Sequence, residues 1–308
     1  MPTDSDHDGN SPSDPDLLTA LTNAGWLLEQ TVAHVLADAD CHPRLGWAFQ
    51  DVDDPNKSRE LDVYGYRQVL RDEDAQVIVA TKFLVECKQS TMPYVAVGRT
   101  LPAWQFKRQP TQHKIPVEEL RFKIPDSKSS RLKPAWEVLG FADIARQCGE
   151  DYFRATQLTR LERESANWSA TNNGIFTSLV HPLAKAIRAA QRDYKGLANF
   201  SSVGKRKRFV YFDLIFPVVV TSAEIIVVDT TSREPVVLRP KWTTARRQLE
   251  TESIKGVFDF DVVNEASFSE CVADRLGFAD AIAAAVASDP LRYTGETWEP
   301  PMLEASDL

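Results

Sequence analysis

The chain is poor in the residues that anchor the simplest functional assignments. Among 308 residues it has four cysteines, Cys41, Cys87, Cys148 and Cys271, with no C-x-x-C pair and no Cys/His cluster. That excludes a structural zinc site of the familiar spacings and a disulfide framework. The five histidines, His7, His34, His42, His113 and His181, also lack ligand spacing, and His34 reads as a partly buried helix residue. There is no glycine-rich phosphate loop, so a self-contained ATPase is disfavoured. No apolar run is long enough to cross a bilayer. The longest, Phe209 to Val220, contains Asp213 and Pro217. The polar, acidic start does not read as a secretory signal. A cytoplasmic protein with free thiols and no membrane association is therefore expected.

What is present is an ordinary globular composition, 43% hydrophobic and 26% charged, with a net charge of −8. The acidic balance argues mildly against avid nonspecific DNA binding, although local basic patches exist. Residues 1–14 read as a disordered acidic leader, 15–290 as one domain, and 291–308 as a loose tail. Apolar periodicity predicts a first helix over 16–38 and strands at Trp47–Gln50, Arg59–Leu70 and Val77–Lys88. A helix is expected from Ile175 to about Tyr194, with Phe176, Leu179, Val180, Leu183 and Ile187 buried. Its other side would carry Lys185, Arg188, Arg192 and Lys195. Strands are expected at Phe209–Val220, Glu224–Asp229, Pro235–Pro240 and Phe258–Val263, then a helix over Phe268–Ser288. Pro217 suggests that its strand is an edge or is bulged. Residues 99–165, rich in proline and basic residues, read as an insertion near a site mouth. Both a nucleic-acid contact region and a solvated loop fit that stretch.

The informative segments are Ser58-Arg-Glu-Leu-Asp-Val-Tyr64 and Phe83-Leu-Val-Glu-Cys-Lys-Gln89. In a strand, residues two apart share a face. Glu60 pairs with Asp62 in this way, and Glu86 with Lys88. If the strands are neighbours, three carboxylates and one ammonium converge. Carboxylates and a backbone carbonyl are hard oxygen ligands suited to magnesium, with manganese able to substitute. Asp62, Glu86 and the Cys87 carbonyl are the candidate ligands. Lys88 would serve the attacking water, and its pKa is pushed both ways by such surroundings. The competing reading is a solvated, salt-bridged hairpin.

This pattern closely resembles the PD-(D/E)xK nuclease superfamily, which includes restriction enzymes, junction resolvases and bacterial defence nucleases. Asp62 matches the first acidic position and Glu86-Cys87-Lys88 the second, while the proline-aspartate dipeptide is replaced by Leu61-Asp62. Glu29, on the first predicted helix, matches the glutamate that many members carry there. The resemblance covers residues 16–95 by motif and 175–240 by element order alone. It implies an α/β restriction endonuclease-like three-layer sandwich, with a mixed central β-sheet flanked by helices and interrupted by the insertion. It also implies a metal-dependent nuclease acting on DNA, with RNA left open, serving in defence or repair. Glu29 and Glu60 would be accessory catalytic groups. Arg59, Gln89 and the run Lys205-Arg206-Lys207-Arg208 are candidate substrate contacts, and that run also reads as a solvated loop. A homodimer or a defence-system partner protein would fit double-strand cutting or activation. The alternatives are a partner-activated effector nuclease and a noncatalytic nucleic-acid-binding subunit that retains the fold.

Overall fold

The computed structural model describes residues 11–123, 130–149, 152–192 and 209–294. The leader's first ten residues, Lys195 and the run Lys205–Arg208 lie outside them. The chain is an α/β protein with a large mixed central sheet flanked by helices.

Two helices open it, α1 (Asp14–Asn23) and α2 (Trp26–Asp38), where one helix was expected. The break is at Gly25, which adopts φ +85°. An L side chain is disfavoured in that left-handed conformation, so glycine both ends one helix and starts the next. α1 buries nothing, whereas α2 buries Leu28, Val32, Ala33 and Leu36. An antiparallel meander follows: β1 (His42–Gln50), β2 (Ser58–Asp72) and β3 (Val77–Lys88). β3 is buried at every position from Val77 to Cys87, as its apolar run requires of a strand covered on both faces.

On the other side of β3 lies β9 (Val210–Thr221), parallel and in register from Val77↔Val210 to Lys88↔Thr221. It is reached through α5 (His181–Arg192). α5 is preceded by a π-helical turn, Phe176–Val180. Pro182 lacks the N–H that a regular helix would use at this point, and a π turn is one way to absorb the loss. The turn shifts the helical phase, so Phe176 is 50% exposed, while Leu179, Val180, Leu183 and Ile187 are buried. Lys185, expected on the outer side, is instead only 4% exposed, because Asp51 waits for it at 2.7 Å.

The sheet continues through β13 (Lys255–Asn264), β12 (Trp242–Glu250), β7 (Phe153–Glu164), β4 (Tyr94–Thr100), β10 (Ile225–Asp229) and β11 (Val236–Leu238), with β8 (Asn167–Thr171) paired to β7. The expected insertion, 99–165, therefore holds the end of β4 and all of β7 as strands of the main sheet, and β8 follows directly after it. It also supplies a small hairpin, β5 (Glu119–Lys123) with β6 (Ser130–Pro134), and the short helices α3 (Ala135–Val138) and α4 (Phe141–Gln147). Trp136, Leu139 and Phe141 join α2 and α6 (Phe268–Ser288) in one core on one face of the sheet. α5 closes a second core on the other face. Each large apolar side chain so buried contributes roughly 1.5–3 kcal/mol.

β9 is a central strand, which corrects the expectation that Pro217 marks an edge. Its pairing with β13 begins only at Val218. Before that point the same side of β9 meets residues 113–114: the Asp213 N–H donates to the Lys114 carbonyl and the Ile215 N–H to His113 Nδ1. Pro217 is the next residue of that parity, where no donor is called for. The tail packs further than expected, since Tyr293 is buried and its hydroxyl donates to the Leu139 carbonyl at 3.1 Å.

Candidate active site

β2 and β3 stay paired as far as Val63↔Val85 and then part. Beyond that pair the Cys87 N–H would be left without a β2 carbonyl. Asp62 Oδ2 takes its place, accepting that N–H at 2.6 Å. The splay of the hairpin and the position of Asp62 are thus one feature. A buried N–H requires an acceptor, and a charged acceptor makes the stronger bond.

Glu86 and Lys88 share a strand face, as the period of two requires, and Lys88 Nζ donates to Glu86 Oε1 at 2.6 Å. Glu86 is 8% exposed. Burial, then the charge of Asp62, push its carboxyl up to about 7, while Lys88 pulls the other way. For Lys88 burial acts downward, but the charge and hydrogen bond of Glu86 and the charge of Asp62 outweigh it, so its pKa lies above the usual value. The two opposing influences read from the sequence resolve in favour of the protonated ammonium.

Glu29 lies in the first turn of α2 and is half-buried. Its pKa is raised by burial first, then by Asp62 and Glu60, with Lys88 opposing. Glu29, Glu60, Asp62, Glu86 and Lys88 therefore share one local field. Glu60 is exposed and leans over Gly46, whose missing Cβ would lie 3.1 Å from Glu60 Oε1. The Cys87 thiol is buried in the core, and burial with the surrounding carboxylates drives its pKa far up. It is neutral, so only its backbone carbonyl is suited to a cation.

Gln89 lies just past the end of β3, beside Gly25 at the α1–α2 joint. Arg59 does not join the carboxylates. Its Nε donates to Asp51 Oδ2 at 2.5 Å. Asp51 also accepts from Lys185 Nζ at 2.7 and 2.9 Å. Burial would raise the Asp51 pKa, but Lys185 and Arg59 hold it well below the carboxylate range. Two residues near the cluster went unread in the sequence. Tyr94 is buried, which raises its pKa, with Arg160 and then Lys88 pulling it back down. Arg160 is its cross-strand partner on β7, and Arg160 Nε is buried with no hydrogen-bond partner among the described residues. Neither carried a local motif: Tyr94 opens β4 shortly after Lys88, and Arg160 is brought to Tyr94 only by the β4–β7 pairing.

Among the described residues, no group of three or more His, Cys, Asp or Glu side chains forms a metal-binding cage. The donor set nevertheless fits a hard cation. Asp62 Oδ1 and Glu86 Oε2 make no hydrogen bond among the described residues, their second oxygens being the ones engaged. Two carboxylates and the Cys87 carbonyl would leave positions for water and a phosphate oxygen.

No protein-family model, curated protein or solved structure matches the chain. No described helix is long and apolar enough to cross a membrane.

Proposed function

We propose that this protein is a magnesium-dependent nuclease of the PD-(D/E)xK type that hydrolyses DNA phosphodiester bonds, an endonuclease serving bacterial defence or repair. The observation that carries this reading is the splayed end of β2 and β3, where Asp62 caps Cys87 beside the Glu86–Lys88 pair. Element order adds support: α2, a three-stranded antiparallel meander, then α5 and β9 parallel to β3. This order agrees with the one expected from the resemblance to a restriction endonuclease-like core.

Asp62, Glu86 and the Cys87 carbonyl would hold the ion. Such an ion supplies Lewis acidity and lowers the pKa of bound water. Lys88, protonated, donates to the attacking water and offsets negative charge on the phosphorane. It must exchange Glu86 for that water, so its 2.6 Å pairing marks the resting arrangement. Glu29 and Glu60 orient water or a second ion from the rim. Arg160 adds a cation within the influence of Tyr94, suited to a phosphate oxygen.

The test is conversion of supercoiled plasmid to nicked and linear forms with magnesium, manganese or chelator. Metal-dependent cutting supports the reading. Absence of cutting by folded protein, with single-stranded DNA and RNA also intact, points to the partner-activated or noncatalytic alternatives. The acidic balance of the chain keeps the partner-activated form as the second reading.

A further inference from the structure

The chain leaves the candidate active site through residues 89–93, between the end of β3 and the start of β4, and this crossing is tied at both ends. The Ser90 N–H donates to Ser222 Oγ at 3.0 Å, and that hydroxyl donates back to the Ser90 carbonyl at 3.1 Å. Ser90 Oγ donates to the Met92 carbonyl at 2.9 Å. At the far end the Tyr94 N–H donates to the Glu224 carbonyl and the Leu161 N–H to the Pro93 carbonyl, both at 3.0 Å. Tyr94 is thereby held at a set place relative to Lys88. It is 3% exposed and belongs to the core that α5 closes, so its ring cannot swing away.

Tyr94 and Arg160 are directly opposed on β4 and β7. Residues so paired share a face of the sheet, with Cβ atoms about 4.5–5.5 Å apart. Burial is the largest influence on the phenol and raises its pKa, so the hydroxyl is neutral at physiological pH. The Arg160 guanidinium acts on that hydroxyl by charge and by hydrogen bond, and the Lys88 ammonium acts on it by charge. An arginine can only donate, so the phenol oxygen accepts from Arg160 and its own proton is left for an anion. The other tie on Arg160 is loose. Glu162, two residues on and on the same face, lies 3.5 Å away, and the two side chains are 35% and 43% exposed. An ion pair so exposed contributes little and yields readily to a phosphate.

A buried phenol between Lys88 and Arg160 keeps the two cations from converging on one phosphate. With Lys88 at the phosphate that is cut, Arg160 is left to meet the next one along the strand. We propose that Tyr94 is a positioning residue that aims Arg160 at the phosphate neighbouring the scissile one, so that the site grips a length of strand rather than a single phosphodiester. This rests on the nuclease reading above. A contact to a phosphate that does not react is equally strong in the ground and transition states, so it lowers KM and leaves kcat alone.

The test is steady-state cutting of a labelled duplex oligonucleotide in magnesium by wild type, Tyr94→Phe, Arg160→Ala and the double variant, at matched folded fraction. Affinity for the same duplex is followed by fluorescence anisotropy in the Lys88→Ala background, which should not cut. Arg160→Ala should raise KM about tenfold with kcat unchanged, the scale of one hydrogen bond to a charged group. Tyr94→Phe, which keeps the ring, should raise KM about fivefold and add nothing in the double variant, because it acts only through Arg160. Anisotropy should show the same ratios, and they decide the matter for a wild type that binds without cutting. The proposal is overturned by an unchanged KM in Tyr94→Phe, by a loss in kcat instead, or by full additivity in the double variant, as a merely structural role would give. Those results leave the nuclease reading standing wherever Lys88→Ala abolishes cutting. A folded wild type that neither cuts nor binds the duplex would overturn that reading, and this proposal with it.

Discussion

The carboxylate of Asp62 accepts the Cys87 N–H at 2.6 Å, at the point where β2 leaves β3. One hydrogen bond therefore both ends the ladder and fixes an acidic group beside Glu86. Structure and proposed chemistry can be separated at this residue. Asp62→Asn keeps an acceptor for Cys87 and should stay within about 1 kcal/mol of wild type. Asp62→Ala leaves the N–H unpaired and should cost about 1–3 kcal/mol in urea unfolding. Both should abolish metal-dependent cutting. Equal stability of the alanine and asparagine variants would contradict the structural role.

Glu86, raised to about 7, sets a pH dependence. A metal ion competes with its proton, so magnesium affinity should rise as pH increases through about 7 and fall below it. Calorimetry in buffers of different ionisation enthalpy should show proton release near pH 6.5. Lys88 opposes the shift, so Lys88→Ala should move the midpoint upward. For metal-free stability the sign is the opposite of a salt-bridged carboxylate. The folded pKa exceeds the unfolded one, so this group's penalty is absent at low pH and develops as pH rises from about 4.5 through about 7. Glu86→Gln should remove that slope.

Lys185 and Asp51 form a buried ion pair joining α5 to the residue after β1. Lys185→Met leaves Asp51 with Arg59 and the Asp53 N–H and removes its buried cation, and should destabilise by about 3–5 kcal/mol. The depressed Asp51 pKa makes this contribution present above about pH 4 and lost as pH falls further. Arg59→Ala, at a half-exposed side chain, should cost less. An equal or larger loss for Arg59→Ala, measured by urea unfolding at pH 7, would reverse this ranking.

Gly25 holds φ +85° at the start of the helix that carries Glu29. Gly25→Ala should cost about 1 kcal/mol and reduce cutting more than that loss of folded protein explains. Parallel stability and rate measurements on one preparation decide it.

The hairpin and its helix were legible because each obeys a single period. β3 reads as Val77–Lys88 from its unbroken apolar run, and α6 as Phe268–Ser288 from its alanine-rich pattern. β12 was not legible. Its second face carries Thr244 and Arg246, which look like solvated residues until Asp261 and Asp259 on β13 supply their partners. Lys185 was misjudged for the same reason, since a helix wheel places a lysine in water unless a distant aspartate awaits it. β4 and β7 were hidden because their pairing closes across more than fifty residues. The candidate site was legible in Asp62, Glu86 and Lys88, which lie on the two strands that local pattern defines. Tyr94 and Arg160 were not, because neither sits in a motif and Arg160 meets Tyr94 only through the long-range β4–β7 pairing.

The most direct test compares wild type with Lys88→Ala and Glu86→Gln on supercoiled plasmid in magnesium, at matched folded fraction. The account predicts cutting that chelator abolishes and that falls by at least about 10²-fold in each variant, the usual scale for losing a group that stabilises transition-state charge. Cutting at wild-type rates by either folded variant would show that the Asp62, Glu86 and Lys88 cluster is not where the chemistry occurs.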